Sequence, residues 1–165
     1  MSDAPPPWEE LDESTLESDG LVQRPTPSQV SAATARTLRF GAKALVTSRD
    51  RVLLVREQRD DGSTFWTLPG GGLEHGETAR ECLARELREE IACGCTPGAI
   101  VARCQYQHTT RPDTTTLYTV FETTLADQPT PNGSEDVIAC EWIDPAHPPS
   151  GTIDPFETII ARLTR

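Results

Sequence analysis

The sequence predicts an α+β domain in which a mixed β-sheet lies between helices. Two observations carry this. Short apolar stretches recur from residue 41 to residue 143, with turn residues between them, as strands do. Two stretches with helical spacing, one central and one at the C-terminal end of the sequence, supply the layers that cover such a sheet.

In chain order, residues 1–35 read as an acidic, proline-bearing tail, with Pro5-Pro6-Pro7 and few apolar residues to bury. Residues 36–165 read as the folded domain. Gly41 to Thr47 alternates Ala42, Ala44 and Val46, and a turn at Ser48-Arg49-Asp50 leads into Val52 to Val55, so the two read as a hairpin. Phe65 to Leu68 is a short apolar piece that runs into Pro69 and a loop of three glycines, Gly70 to Gly72. Thr78 and Glu81 have the spacing of a capping box. Ala79 to Ile91 then runs without Gly or Pro, and Leu83, Leu87 and Ile91 form one apolar stripe. Gly94 is the expected stop. Ile100 to Gln105, Thr115 to Leu125 and Val137 to Ile143 read as strands, and Asp154 to Leu163 as a closing helix with Ile159, Ile160 and Leu163 facing inward.

Composition limits the function. The chain has 165 residues and a formal net charge of -11. Such a surface repels nucleic-acid backbones and anionic lipids, so neither is expected as a partner. There is no apolar run of membrane-spanning length and no signal-like start, which points to the cytoplasm. Five cysteines without a CxxC read as reduced thiols. An anionic ligand would need local cations. The chain has one lysine, Lys43, against fourteen arginines. Arg56, Arg59 and Arg111 are the candidates, and Tyr106 and His108 at a strand end are candidates to face substrate. A homodimer is left open.

The chemistry concentrates in Gly71 to Cys93. Glu86, Glu89 and Glu90 project from one side of their helix at spacings of three and four. Like charges so placed repel, and a hard divalent cation with carboxylate oxygens as ligands compensates. Preceding glycines let backbone approach a ligand closely.

This segment resembles the Nudix box, G-x5-E-x7-R-E-U-x-E-E-x-G-U with U bulky and apolar. Gly71, Glu77, Arg85, Glu86, Leu87, Glu89 and Glu90 are in register, and Ala92 stands where the pattern has Gly. The resemblance implies a Nudix-type α/β/α sandwich. It also implies a Mg2+- or Mn2+-dependent hydrolase that cleaves the pyrophosphate bond of a nucleoside diphosphate linked to another moiety, of the nucleotide, ADP-ribose or nucleotide-sugar type. In that reading Glu86, Glu89 and Glu90 hold metal with help from the Gly71 carbonyl, and Glu86 is the first choice of base. Glu77 and Arg85 support them, Glu135 or Asp136 adds a carboxylate, and Arg56 and Tyr106 touch the small phosphorylated substrate. The alternative is a catalytically silent nucleotide-sensing module of the same fold. Such a module is expected to have lost a box carboxylate, and none is missing here.

Overall fold

The computed structural model describes residues 37–164; the expected N-terminal tail lies outside them. Strand β1 (Thr37–Leu45) is followed by a two-residue β2 (Thr47–Ser48), β3 (Arg51–Gln58), β4 (Thr64–Thr67) and β5 (Gly70–Gly72). Helix α1 (Ala79–Ile91) leads to β6 (Cys95–Gln107), β7 (Thr114–Leu125) and β8 (Val137–Ile143), and α2 (Phe156–Ala161) follows.

The strands divide into two four-stranded sheets. One has the order β5-β1-β7-β6 and is mixed, with β1 antiparallel to β5 and parallel to β7. The other is antiparallel and joins β2, β3, β4 and β8. The chain passes from one sheet to the other at Val46, so the expected hairpin shrinks to the pairs Thr47–Val52 and Ser48–Arg51. Arg49 and Asp50 form its turn with φ of 50° and 61°, the left-handed pair of a two-residue hairpin loop. β1 leaves this hairpin because it lies between β5 and β7, where every residue from Gly41 to Val46 is buried. The three glycines form a strand, where a loop was expected, with Gly70, Gly71 and Gly72 opposite Lys43, Ala42 and Gly41.

The two helices cover opposite faces. Leu83, Leu87 and Ile91 of α1 pack with Ala42, Ala44, Leu53, Val55 and Phe121. Phe156, Ile159 and Ile160 of α2 pack with Leu45, Val52, Leu54, Tyr118 and Val120. Each fully buried leucine or isoleucine contributes roughly 2 kcal/mol by leaving water. The closing helix is shorter than expected: Pro155 caps it, it ends at Ala161, and Leu163 stays exposed in a following 3-10 turn. No helix among the described residues is long and apolar enough to cross a membrane.

α1 begins as its sequence dictates. Glu81 N–H donates to Thr78 Oγ1 at 3.1 Å and Thr78 N–H to Glu81 Oε2 at 3.0 Å. Its end differs from expectation. Ala92, and not Gly94, takes the left-handed turn, at φ 55° and ψ 33°. That conformation suits glycine because a Cβ crowds the neighbouring carbonyl, which explains why the family pattern has glycine at this position. Ala92→Gly is expected to stabilise the domain by about 0.5–1 kcal/mol, the relief of strain less the extra freedom glycine has when unfolded. A denaturation midpoint that stays put or falls would refute this.

Candidate functional site

Three elements converge at the C-terminal half of α1. β5 and β1 pass beside the helix, and the end of β3 brings the charge of Glu57 to bear on Glu90. On α1, Glu86 turns back onto β5. A Cβ added to Gly71 would lie 2.6 Å from the Glu86 carboxyl carbon, so only glycine lets that carboxylate rest against the backbone. Glu90 is buried, and its Oε2 accepts the Gly70 N–H at 3.0 Å. Burial pushes its carboxyl well above the usual carboxylate range, although Lys43 and the Gly70 N–H pull it down.

Arg85 holds the rest together. Its Nε and Nη2 donate to the two oxygens of Glu77 at 2.7 and 3.0 Å. Nη1 reaches both Glu86 and Glu89 at 3.0 Å, and Nη2 also donates to the Gly72 carbonyl at 3.1 Å. The hydrogen bonds from Arg85 hold the Glu77 carboxyl at about 2. Burial pushes the thiol of Cys82 beside them up to about 12, so it stays protonated.

Two charged residues that sequence reasoning did not single out belong here. Lys43, on the central strand, is buried and donates from Nζ to the Gly70 carbonyl at 2.9 Å. Its ammonium lies 5.2 and 5.6 Å from the ring centres of Tyr118 and Phe156. Burial opposes its charge, but Tyr118, Glu57, Glu90 and Glu86 outweigh it and hold the amine above its ordinary value. Glu57, half-buried near the end of β3, is the second. Burial pushes its carboxyl up against the pull of Lys43, and the charges of Glu86 and Asp136 push the same way. Nothing in local sequence marks either residue, because the β1–β5 and β3–β8 pairings bring them in.

The other expected site residues lie as follows. Gln58 N–H donates to the Asp136 carbonyl at 2.9 Å, and Val137 pairs with Glu57, so Asp136 borders the group. Glu135 is exposed in the 3-10 turn before it. Asn132 from the same loop caps α1: its Nδ2 donates to the Glu89 carbonyl at 2.8 Å and its N–H to the Glu90 carbonyl at 2.9 Å. Those helix-end acceptors would otherwise lack partners. Arg56 donates twice to Thr64 Oγ1, at 3.1 and 3.0 Å, and its guanidinium lies against Trp66, which occupies it within its own hairpin. Tyr106 stands edge-on to His108 with ring centres 5.0 Å apart. It lines a cleft of about 410 Å3 together with Arg59, Thr109, Ile153 and Asp154. His75 is exposed and all five cysteines are free. The Gly71 carbonyl faces Cys82 Sγ at 3.5 Å.

As they stand, no three acidic, histidine or cysteine side chains among the described residues surround one point closely enough to ligate an ion. The reason is visible: Arg85 takes Glu86 and Glu89, and the Gly70 N–H takes Glu90. The donor set is nevertheless all oxygen, which is the chemistry of a hard divalent cation. The space beside Gly71 that a Cβ would fill holds the Glu86 carboxylate.

The NUDIX domain model matches residues 37–163. The chain belongs to this family. It is 37% identical over 57 residues to the human "8-oxo-dGDP phosphatase NUDT18", which is 34% of this chain and 18% of that protein. To "Phosphatase NudJ" of Escherichia coli it is 30% identical over 102 residues, 61% of this chain and 65% of that one. The chain thus spans less than two thirds of each of these relatives. Among solved structures, the MutT protein from Methanosarcina mazei Go1 superposes with a TM-score of 0.66 at 23% identity, covering 79% of this chain and 95% of that one. That likeness speaks to the fold alone.

Proposed function

We propose that this Nudix domain is a divalent-metal-dependent hydrolase that cleaves the pyrophosphate bond of a nucleoside diphosphate joined to a further group. The observation that carries the reading is Glu86 lying on Gly71, with Glu90 beside it and Glu57 charge-coupled to both. Mg2+ or Mn2+ is the fitting cation, held by Glu86, Glu89 and Glu90, with Glu57, Asp136 and the Gly71 carbonyl at the margin. When bound, it supplies neutralisation of the pyrophosphate oxygens and activation of water. Glu86 accepts the proton of the attacking water, and Arg85 fixes the direction of its carboxylate. Lys43 and the Gly70 peptide keep Glu90 in place from behind.

The relatives' printed activities, on 8-oxo-dGDP and as a phosphatase, support a phosphorylated small-molecule substrate. The test is phosphate and nucleotide release from a panel of nucleoside diphosphates, nucleotide sugars, ADP-ribose and oxidised nucleotides, with Mg2+, Mn2+ or chelator. Turnover of at least one class that stops in chelator is the expected result. Tight nucleotide binding with no turnover of any class would replace this reading with a sensing module.

A further inference from the structure

Gly72 has a charged neighbour. A Cβ added there would lie 2.7 Å from Arg39 Nη2, so the guanidinium lies directly against the glycine strand. Successive residues of an extended strand point to opposite sides. Gly71 faces Glu86 and Gly72 faces Arg39; the strand therefore has carboxylate on one side and guanidinium on the other.

Arg39 heads a row of polar and aromatic side chains on one face of the sheet. In the sheet Arg39 is level with Thr116 of β7, and Thr116 is level with Tyr106 of β6. Residues paired in this way share a face. His108 joins the row, with Nε2 2.9 Å from Thr116 Oγ1 and its ring edge-on to Tyr106. The row thus runs from the glycine strand to the Tyr106 cleft. Farther along the same face, Phe156 of α2 packs onto Tyr118 at 5.6 Å between ring centres; Arg39 itself is exposed. None of the ion pairs among the described residues includes Arg39.

Charge gives this position a task. The chain carries a formal net charge of -11, and a pyrophosphate must approach carboxylates. Arg59, which lines the cleft, stacks on Phe65 at 4.2 Å and Arg56 is engaged by Thr64, whereas the charge of Arg111 acts on His108 as that of Arg39 does; it is Arg39 that lies against the glycine strand. We propose that Arg39 is a substrate-phosphate-binding residue: its guanidinium takes the phosphate oxygens on the side of the glycine strand away from Glu86. This rests on the pyrophosphohydrolase reading. The planar fork of arginine matches phosphate with two parallel hydrogen bonds. The consequence is specificity: substrates with a phosphate chain that spans the strand are favoured over single-phosphate esters.

The test uses the full chain with Arg39→Ala and Arg39→Lys. The probe is α,β-methylene-ADP, which cannot be hydrolysed at that bridge, titrated calorimetrically with saturating Mn2+. Binding of Mn2+ alone is followed by electron paramagnetic resonance. Arg39→Ala is expected to weaken probe binding by about 10- to 100-fold, the loss of a charge-assisted bond. Arg39→Lys should recover part of it, Mn2+ affinity should hold within about twofold, and KM should rise while kcat changes little. No probe binding by the wild type, or equal binding by wild type and Arg39→Ala, overturns the proposal. So does a parallel loss of Mn2+ affinity, which would make Arg39 a prop for the metal site. Probe binding that depends on Arg39 without turnover of any substrate would sink the hydrolase reading and leave Arg39 standing. Turnover with KM unchanged in Arg39→Ala would do the reverse.

Discussion

Glu86→Gln is expected to lower kcat/KM by about three orders of magnitude while the protein stays folded. The amide is isosteric, so it still fits against Gly71, where a Cβ would sit 2.6 Å from the present carboxyl carbon, and it still accepts from Arg85 Nη1. What it loses is the negative charge and the ability to take a proton. Loss of a positioned general base alone costs about 10²- to 10⁴-fold, and loss of a metal ligand adds to it. Glu90→Gln is expected to cost about 100-fold or more by another route. Its oxygen still accepts the Gly70 N–H, but a proposed metal ligand is replaced by a group that cannot ionise. Steady-state kinetics over a range of Mn2+ concentrations separates the two. Glu90→Gln should recover partly as Mn2+ rises and Glu86→Gln should not. Either variant within tenfold of the wild type at all metal concentrations would remove that residue from the proposed chemistry.

How much of this was legible in the sequence follows from how local each signal is. The start and apolar stripe of α1 are readable, because a capping box and a four-residue apolar spacing are contained in the segment they describe, while its left-handed end at Ala92 is not. β8 was equally plain. β5 was not: three glycines have poor strand propensity, and they form a strand only because β1 and the Glu86 carboxylate leave room for nothing larger. The hairpin failed at Val46 for a similar reason, since the pull of β5 and β7 on β1 is not written in residues 41–55. The box residues take their places from register alone, while the positions of Lys43, Glu57 and Arg39 beside them do not. Each is brought in by a pairing between strands that lie far apart in sequence. The net charge of -11 predicted that cations would be needed near a phosphate; it could not say which.

Arg85→Ala is expected to lower stability at neutral pH by about 2–4 kcal/mol. Arg85 is one-fifth exposed and bonds three carboxylates and a carbonyl. Removing one partner of a largely buried ionic group leaves the others desolvated and unpaired, which costs about 3–5 kcal/mol when burial is complete. Partial exposure reduces that figure. The pH dependence identifies the cause. Glu77 has its pKa depressed from 4.5 to about 2 in the folded protein, first of all by Arg85. A depressed carboxyl stabilises the fold above its unfolded pKa, and that stabilisation is lost as pH falls through the folded value. The wild type should therefore lose this contribution between pH 4.5 and about 2. Arg85→Ala should lack it at every pH, so the gap between the two proteins narrows as acid is added. Arg85→Lys keeps the charge without the fork and should fall between them. Urea midpoints at pH 7 and pH 2.5 decide it. A gap that stays constant across that range would assign the loss to packing of the arginine stem, and a gap under about 0.5 kcal/mol at pH 7 would mean the network contributes little to the fold.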